Sequence, residues 1–444
     1  MKFIFAWLAT AFAVLCAQRA AAEPVLLISI DGLQPADVID ESRGFSAPNL
    51  RALMTAGAYA TGVRNVLPTV TYPNHTTLIT GVAPSVHGIA NNTTFDPLQK
   101  NQGGWYWYET DIRTPTLWDA VKTKGGVVAS VRWPVSVGAR AIDWNIPEVW
   151  RAWTPDDLKL VEALSTPGLV AELEKSTGTP AAAMFSQEVD GDLARAKFAA
   201  AIMTEKRPQF MTLHLISLDH FEHEDGPGSD KAKATLSALD AAVGDLVAAA
   251  RRAQPDLVVA IASDHGFARI TQATNLYVPF VEAGLISYDA EKRRVTGWEA
   301  TPWGASGSAA VVLARPKDKK LRKKVAALLK QLQADPALKI ARVIDAKEIA
   351  RMGGAKNASF WVDFEPGEAF MGYNFTGPAV TPAGSMGTHG FLPDNPEMRA
   401  SFFISGAPAP AGRNLGEIDM RDIAPTLAKI LGVSLDGATG EPLF

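Results

Sequence analysis

Cysteine is nearly absent from this chain of 444 residues: the single instance, Cys16, lies in the apolar stretch at the N-terminus. A body without cysteine excludes a disulfide scaffold, a zinc–thiolate site and cysteine catalysis. There is also no basic stripe, no internal repeat, no heptad and no low-complexity tract. A nucleic-acid polymer is therefore not an expected partner, and a solenoid or coiled coil is not an expected architecture. The most basic segment, Lys317 to Lys324, reads as the solvated face of a helix. Long apolar runs are scarce as well. Phe3 to Cys16 is interrupted by Thr10, followed by Arg19, and too short for a comfortable membrane span. With Lys2 ahead of it and Ala20-Ala21-Ala22 behind it, residues 1–22 read as a secretory signal cleaved before Glu23. Leu15, directly before Cys16, is not the small residue of a lipoprotein cleavage site. The expectation is a periplasmic or secreted protein with no membrane anchor after cleavage.

What remains is about 420 residues, of a chain that is 47% hydrophobic with a net charge of only −4, enough for a large globular core. Short apolar runs alternate with amphipathic stretches. Val25 to Ile30 is a near-continuous apolar run of the buried-strand type that stops at Asp31-Gly32. A helix follows, with Ser46 as N-cap, Pro48 in its first turn and Gly57 after its end. Gly126 to Val131, Phe210 to Ile216 and Leu257 to Ala262 repeat the strand pattern after helical stretches, and Ser401 to Ile404 precedes a helix from Met420 to Leu431. The fold class predicted is α/β: a central, mostly parallel sheet flanked by helices. In such sheets ligands gather at the carboxyl ends of the strands.

Three acidic residues fall at such ends: Asp31, Asp219 and Asp264. Of the seven histidines, three have ligand-like neighbours. His223 is one helical turn from Asp219, His265 adjoins Asp264, and His389 lies between Thr388 and Gly390. Carboxylates and imidazoles in these spacings suit one or more transition-metal ions. His75, His87, His214 and His220 are assigned to packing or outer hydrogen bonds. The other informative stretch is Pro68 to Gly81, which sets threonine hydroxyls at the start of a short helical run. Thr71 sits where free N–H groups favour a phosphate, and with no Ser-His-Asp partner in view a metal is its natural activator. Thr69, Thr76 and Thr77 compete with it.

Taken together, Ser29-Ile30-Asp31-Gly32, Pro68 to His75, Thr80-Gly81 with Pro84 and His87-Gly88-Ile89, Asn92, Trp133-Pro134, Asp219 with His223 and Gly226-Pro227, Asp264-His265-Gly266 and His389-Gly390 form an ordered set. It resembles the nucleotide pyrophosphatase/phosphodiesterase family of the alkaline phosphatase superfamily over most of the chain. The resemblance implies two zinc ions, one held by Asp31, Thr71, Asp264 and His265, the other by Asp219, His223 and His389. It selects Thr71 as the nucleophile, forming a phospho-threonine intermediate, and Asn92 as the phosphate-binding amide. Tyr72, beside the nucleophile, becomes the first choice for stacking on a base or other ester group, ahead of the tryptophan-rich stretch Trp105, Trp107, Trp118, Trp133, Trp144, Trp150 and Trp153. The substrate implied is a small phosphate diester or nucleotide.

Because the ligands must meet, residues 267–386 are expected to leave the core as an inserted α+β subdomain, with 23–266 and 387–444 forming the catalytic core. A helix is predicted around Leu321 to Gln333, with strands near Ala309 to Leu313, Ala341 to Ile344 and Ser359 to Val362. Related chemistries differ at named positions. Sulfatases need a Cys/Ser-x-Pro-x-Arg context where this chain has Thr71-Tyr72-Pro73-Asn74, and phosphoglycerate mutases use serine and a domain inserted after it. Threonine-type phosphomonoesterases add a Lys-x-Arg pair where this chain has only Arg132 before Trp133-Pro134. That rival and a phosphonoacetate hydrolase remain alternatives, as does an exported binding protein with a relic site.

Overall fold

Val25–Ile30 becomes a wholly buried strand near the middle of an eight-stranded sheet. Its alternate residues serve two cores: Leu26, Ile28 and Ile30 pack into one apolar cluster, Val25 and Leu27 into another on the opposite face. A strand with helices on both faces has no polar side, which is why its sequence runs apolar without alternation. The computed structural model describes residues 22–101, 104–150 and 157–444. All of the stretch read as a signal except Ala22, and Trp153, lie outside the described residues.

From one edge the sheet runs Arg413–Asn414, Ala58–Tyr59, Phe402–Ser405, Val258–Ala262, Val25–Ile30, Phe210–Leu215, Val128–Val131 and Trp144–Ile146. The last five are mutually parallel neighbours, and Phe402–Ser405 is antiparallel to Val258–Ala262. The α/β fold is therefore as predicted, with each anticipated strand present and shifted by a residue or two at its ends. Helices Val189–Glu205 and Asp230–Ala253 bury residues in the cluster on one face. Thr71–Thr80 and Ile423–Ile430 do so on the other.

The first long helix corrects one expectation. It spans Pro48–Ala56 with Ala47, not Ser46, at the N-cap, and no local side chain caps it. Instead the buried Asp240 carboxylate, from Asp230–Ala253, accepts hydrogen bonds from the backbone of Asn49 (3.1 Å) and Leu50 (2.8 Å). The free N–H groups of a helix start need acceptors, and here a tertiary contact supplies them, which local sequence could not show.

None of the eight strands comes from residues 267–386. That segment builds a four-stranded antiparallel sheet in the order Ala300–Ala305, Ser308–Leu313, Ala358–Phe364, Ile340–Asp345. Helix Lys319–Gln333 buries Leu321, Val325, Leu329 and Leu332 at helical spacing, leaving the lysines outward. Ala300–Ala305 escaped notice because Pro302 and Gly304 break the strand pattern; at the sheet edge both are tolerated. The chain leaves and returns through paired strands Ala268–Arg269 and Gly387–Thr388. That pairing carries His389 back to His265, whose rings stack at 3.5 Å and 9°. Gly390 has φ +89°, and a Cβ there would lie 1.9 Å from the Ala305 carbonyl, so only glycine allows this close approach. Among the described residues no helix is long and apolar enough to cross a membrane.

Candidate active site

Strands Val25–Ile30 and Val258–Ala262 run in parallel register, so Asp31 and the pair Asp264-His265 emerge together at their carboxyl ends. On the other side of Val25–Ile30, strand Phe210–Leu215 leads into helix Ser217–Asp225, which sets Asp219 and His223 four residues apart on one face. Two clusters with converging ligand atoms result: Asp31, Asp264 and His265, all buried, and Asp219, His223 and His389. His265 Nε2 lies 3.3 Å from Asp31 Oδ1 and 3.1 Å from Asp264 Oδ2. Asp219 Oδ1 lies 3.6 Å from Nε2 of both His223 and His389.

The hydrogen bonds fix how these imidazoles face the site. Nδ1 of His223 points at the Gly387 carbonyl (2.9 Å), that of His389 at Thr69 (3.1 Å) and that of His265 at Gly266 (3.2 Å). Donation there leaves Nε2 toward the carboxylates with a lone pair to offer. Asp31 Oδ1, Asp219 Oδ1, Asp264 Oδ2 and His265 Nε2 are buried without a hydrogen-bond partner. Buried charged groups need compensation. Burial and the neighbouring Asp264 and Asp219 push Asp31 far above the usual carboxylate range. Burial alone would depress His265, but Asp264, Asp31 and Asp219 overturn that and hold it up at about 9. A cluster that holds protons so tightly is suited to holding divalent cations, and mixed carboxylate and imidazole donors fit zinc.

Thr71 opens helix Thr71–Thr80. A cavity of about 170 Å³ faces it, lined also by Asp31, Asn92, Asp219, His223 and His389. The competing hydroxyls are occupied elsewhere: Thr69 donates to Phe391 O, Thr76 to Tyr72 O and Thr77 to Pro73 O. None of these three lines the cavity. Asn74 explains the rest of the motif. Its amide donates to Pro68 O and Val70 O and its Oδ1 accepts from Val66 N–H, clamping the loop that precedes Thr71. Asn92 Oδ1 accepts from Tyr72 N–H (2.8 Å). This satisfies one free donor of the helix start and orients the residue, whose Nδ2 donor is the group available to a phosphate. Asn91 in turn donates to Gly304 O and accepts from Asn92 N–H, both at 2.8 Å. Asn92→Ala should lower the rate on the order of 10²-fold, the usual cost of a lost oxyanion donor, with metal content unchanged. An Asn92→Asp protein should lose more, since it keeps the acceptor but presents negative charge. Steady-state kinetics with metal analysis checks both, and an unaltered Asn92→Ala rate would contradict the assignment.

Tyr72 lines the cavity beside Thr71. Its residue is 0% exposed, packed with Ile89 and Val135, and Trp105 meets its ring at 5.1 Å and 64°. The half-buried Trp105 and Trp150, 5.4 Å apart, line the same cavity. Trp118 and Trp133 are core residues, while Trp107 and Trp144 pack at the edge of a core cluster.

Glu148 was not anticipated. It follows strand Trp144–Ile146, whose three residues are too short to recognise in sequence; the strand-end rule would otherwise have flagged it. Its Oε2 lies 3.1 Å from His214 Nδ1, and His214 Nε2 lies 3.0 Å from Asp31 Oδ2, so the histidine braces a site carboxylate from behind. His75 reaches the Thr71 carbonyl at 2.9 Å, His87 pairs with Thr77, and His220 lines the cavity. Burial would raise Glu148, but His214 and Arg132 overcome it and hold the carboxyl below its ordinary range. Arg132 is wholly buried, and none of its guanidinium nitrogens has a hydrogen-bond partner. Glu148→Gln should therefore destabilise the protein by about 3–5 kcal/mol near neutral pH, the cost of stranding a buried partner. A carboxylate with a depressed folded pKa contributes its stability above the unfolded value and loses it as pH falls through the folded one. The gap to wild type should thus hold at neutral pH and close only in acid. Denaturant unfolding across pH checks this, and a gap that widens in acid would contradict it.

The sheet, its flanking helices and the paired Asp/His clusters at the strand ends define an alkaline-phosphatase-like α/β protein. A family model described as type I phosphodiesterase / nucleotide pyrophosphatase matches residues 25–391, and the chain belongs to that family. It is 26% identical over 254 residues to human ectonucleotide pyrophosphatase/phosphodiesterase family member 1, covering 55% of this chain and 23% of that one. It is 24% identical over 277 residues to the venom phosphodiesterase of Macrovipera lebetinus, covering 58% and 28%. The match thus spans about a quarter of the length of these relatives. Human ectonucleotide pyrophosphatase / phosphodiesterase 5 has a similar fold, with TM-score 0.66, 18% identity and coverage of 94% of this chain and 97% of that one. An inactive form of the murine counterpart, in complex with AMP, gives the same TM-score and identity.

Proposed function

We propose that this protein is a metal-dependent phosphodiesterase that cleaves small phosphate diesters, nucleotides among them, through a covalent intermediate on Thr71. Asp31, Asp264 and His265, with Thr71, would hold one zinc ion, and Asp219, His223 and His389 the other. Bound there, the cations would supply Lewis acidity, lowering the pKa of the attacking hydroxyl and offsetting phosphoryl charge. Thr71 Oγ1 gives up its proton and attacks phosphorus, the bond from phosphorus to one ester oxygen breaks, that oxygen takes up a proton and departs as an alcohol, and the enzyme carries the phosphoryl group with its retained ester arm. Water then cleaves the Thr71–phosphate ester and restores the hydroxyl. Asn92 Nδ2 orients a non-bridging oxygen and donates to it as charge builds. The retained organic arm is placed against the aromatic side of the cavity, where Tyr72, Trp105 and Trp150 lie. Relatives named as ectoenzymes and venom enzymes support reading it as exported; recovery only from the cytoplasm would contradict that.

One observation favours a diester over a monoester. Among the described residues lining the catalytic cavity there is no lysine or arginine, and Arg132, the arginine before Trp133-Pro134, is sealed in the core. A dianionic monoester finds no cationic side chain to grip it, whereas a monoanionic diester needs less charge and gains contacts through its second arm. With one chromogenic leaving group, kcat/KM should favour a nucleotide diester over the matched monoester by more than about tenfold, equivalent to about 1.4 kcal/mol of transition-state binding. Equal or reversed values would replace the reading with a phosphomonoesterase.

A further inference from the structure

A second cavity adjoins the catalytic one and takes no part in the chemistry above. It holds about 590 Å³ and lies between core residues from Thr93 to Gln99, with Gly104, and residues of the segment from Tyr277 to Tyr373. Ser306 lines both cavities. The two also meet between neighbouring residues: Asn92 and Trp105 face the catalytic cavity, Thr93 and Gly104 the larger one. Ser306 holds φ +58° at the turn between strands Ala300–Ala305 and Ser308–Leu313, a left-handed conformation that is uncommon for a residue with a side chain. It is the one residue of the 267–386 segment, among those described, that reaches the catalytic cavity.

The lining of the larger cavity states what it would take. Phe95, Trp303, Tyr277 and Tyr373 give it aromatic walls, and its volume falls within the range of small-molecule sites. Trp303 is 6% exposed, and its indole N–H is buried without a partner. That leaves one hydrogen bond unmet beside the cavity. The single charged side chain among the described lining residues is Asp96. The floor is fixed to the phosphate site, since Gly304 of this cavity accepts from Asn91, whose Oδ1 in turn holds the backbone of Asn92. At about 170 Å³ the catalytic cavity has room for the phosphoryl group and little of a second organic arm.

We propose that this aromatic cavity is the subsite for the second organic arm of the diester, so that the preferred substrate carries two nucleoside-sized, uncharged arms on one phosphate rather than a polyphosphate chain. A polyphosphate arm entering here would meet Asp96 and no cation. The inference rests on the diesterase reading for its turnover consequences, but binding tests it independently. In a Thr71→Ala background, calorimetry measures the affinity for a dinucleoside monophosphate and for the corresponding nucleoside 5′-monophosphate. Filling the cavity with Thr94→Trp should weaken the first at least tenfold and the second less than twofold. Tyr373→Ala, at a residue 64% exposed and therefore safe for folding, should act in the same direction. Equal effects on both ligands, or none on either, would overturn the subsite. With active wild-type enzyme, kcat/KM for the dinucleoside monophosphate should exceed that for a nucleoside triphosphate by more than tenfold, and parity would overturn the charge argument. If the matched monoester is the better substrate while Thr94→Trp still discriminates in binding, the diesterase reading fails and the subsite stands.

Discussion

Thr71→Ala should abolish turnover, with a loss of at least about 10⁴-fold, the scale on which removal of a covalent nucleophile is felt. The fold should not notice. Thr71 is partly exposed at the first position of its helix, and the loop before it is clamped by Asn74 rather than by the threonine hydroxyl. Thermal unfolding should therefore match wild type within a degree or two. Thr71→Ser should retain part of the activity because it keeps the hydroxyl. The contrast with Thr69→Ala separates chemistry from structure: that hydroxyl donates to Phe391 O from a buried position, so its loss should cost stability before rate. A Thr71→Ala protein with wild-type turnover would end the proposed mechanism.

Removing metal should have the second large effect. A strong chelator should lower activity by about 10³-fold or more, since Lewis-acid stabilisation of phosphoryl charge is worth several kcal/mol. Zinc should restore activity better than magnesium, which prefers oxygen and water to imidazole. Stability should fall as well: a cation present at 1,000 times its Kd contributes about 4.1 kcal/mol per site. The stripped protein should also become pH-sensitive. His265, held up at about 9 against an ordinary 6.5, stabilises the fold fully below its unfolded value and ceases to do so as pH rises through about 9. Asp31, raised by burial and its carboxylate neighbours, acts in the same direction. The melting temperature of chelated protein should thus drop between pH 7 and 9.5 while that of zinc-loaded protein changes little. Full activity in chelator, or a chelated protein stabilised by alkali, would contradict the metal assignment.

The parts of this site that were legible in the sequence are those fixed by local pattern. Asp31 and Asp264-His265 stood at the ends of apolar runs, and parallel register brings such ends together. Asp219 and His223 shared a helical face by spacing alone. Thr71 was singled out from four threonines only by the register of a family motif; the structure adds the physical reason, because the other three hydroxyls are engaged by backbone carbonyls. What escaped depends on contacts distant in sequence. Asp240 caps a helix some 190 residues away, and Glu148 sits at the end of a strand too short to announce itself. Ser306 reaches the cavity because Pro302 and Gly304 belong to an edge strand, where such residues do not mark a break.

The central claim is that two displacements occur at phosphorus, the first by Thr71. Each in-line displacement inverts the phosphorus centre, so two in sequence restore it. The direct measurement is hydrolysis of a diester of known configuration at a phosphorothioate centre in ¹⁸O-labelled water, followed by stereochemical analysis of the product. Net retention is the result predicted for attack by Thr71 and release by water; net inversion would mean that water attacks directly and that Thr71 never becomes bonded to phosphorus.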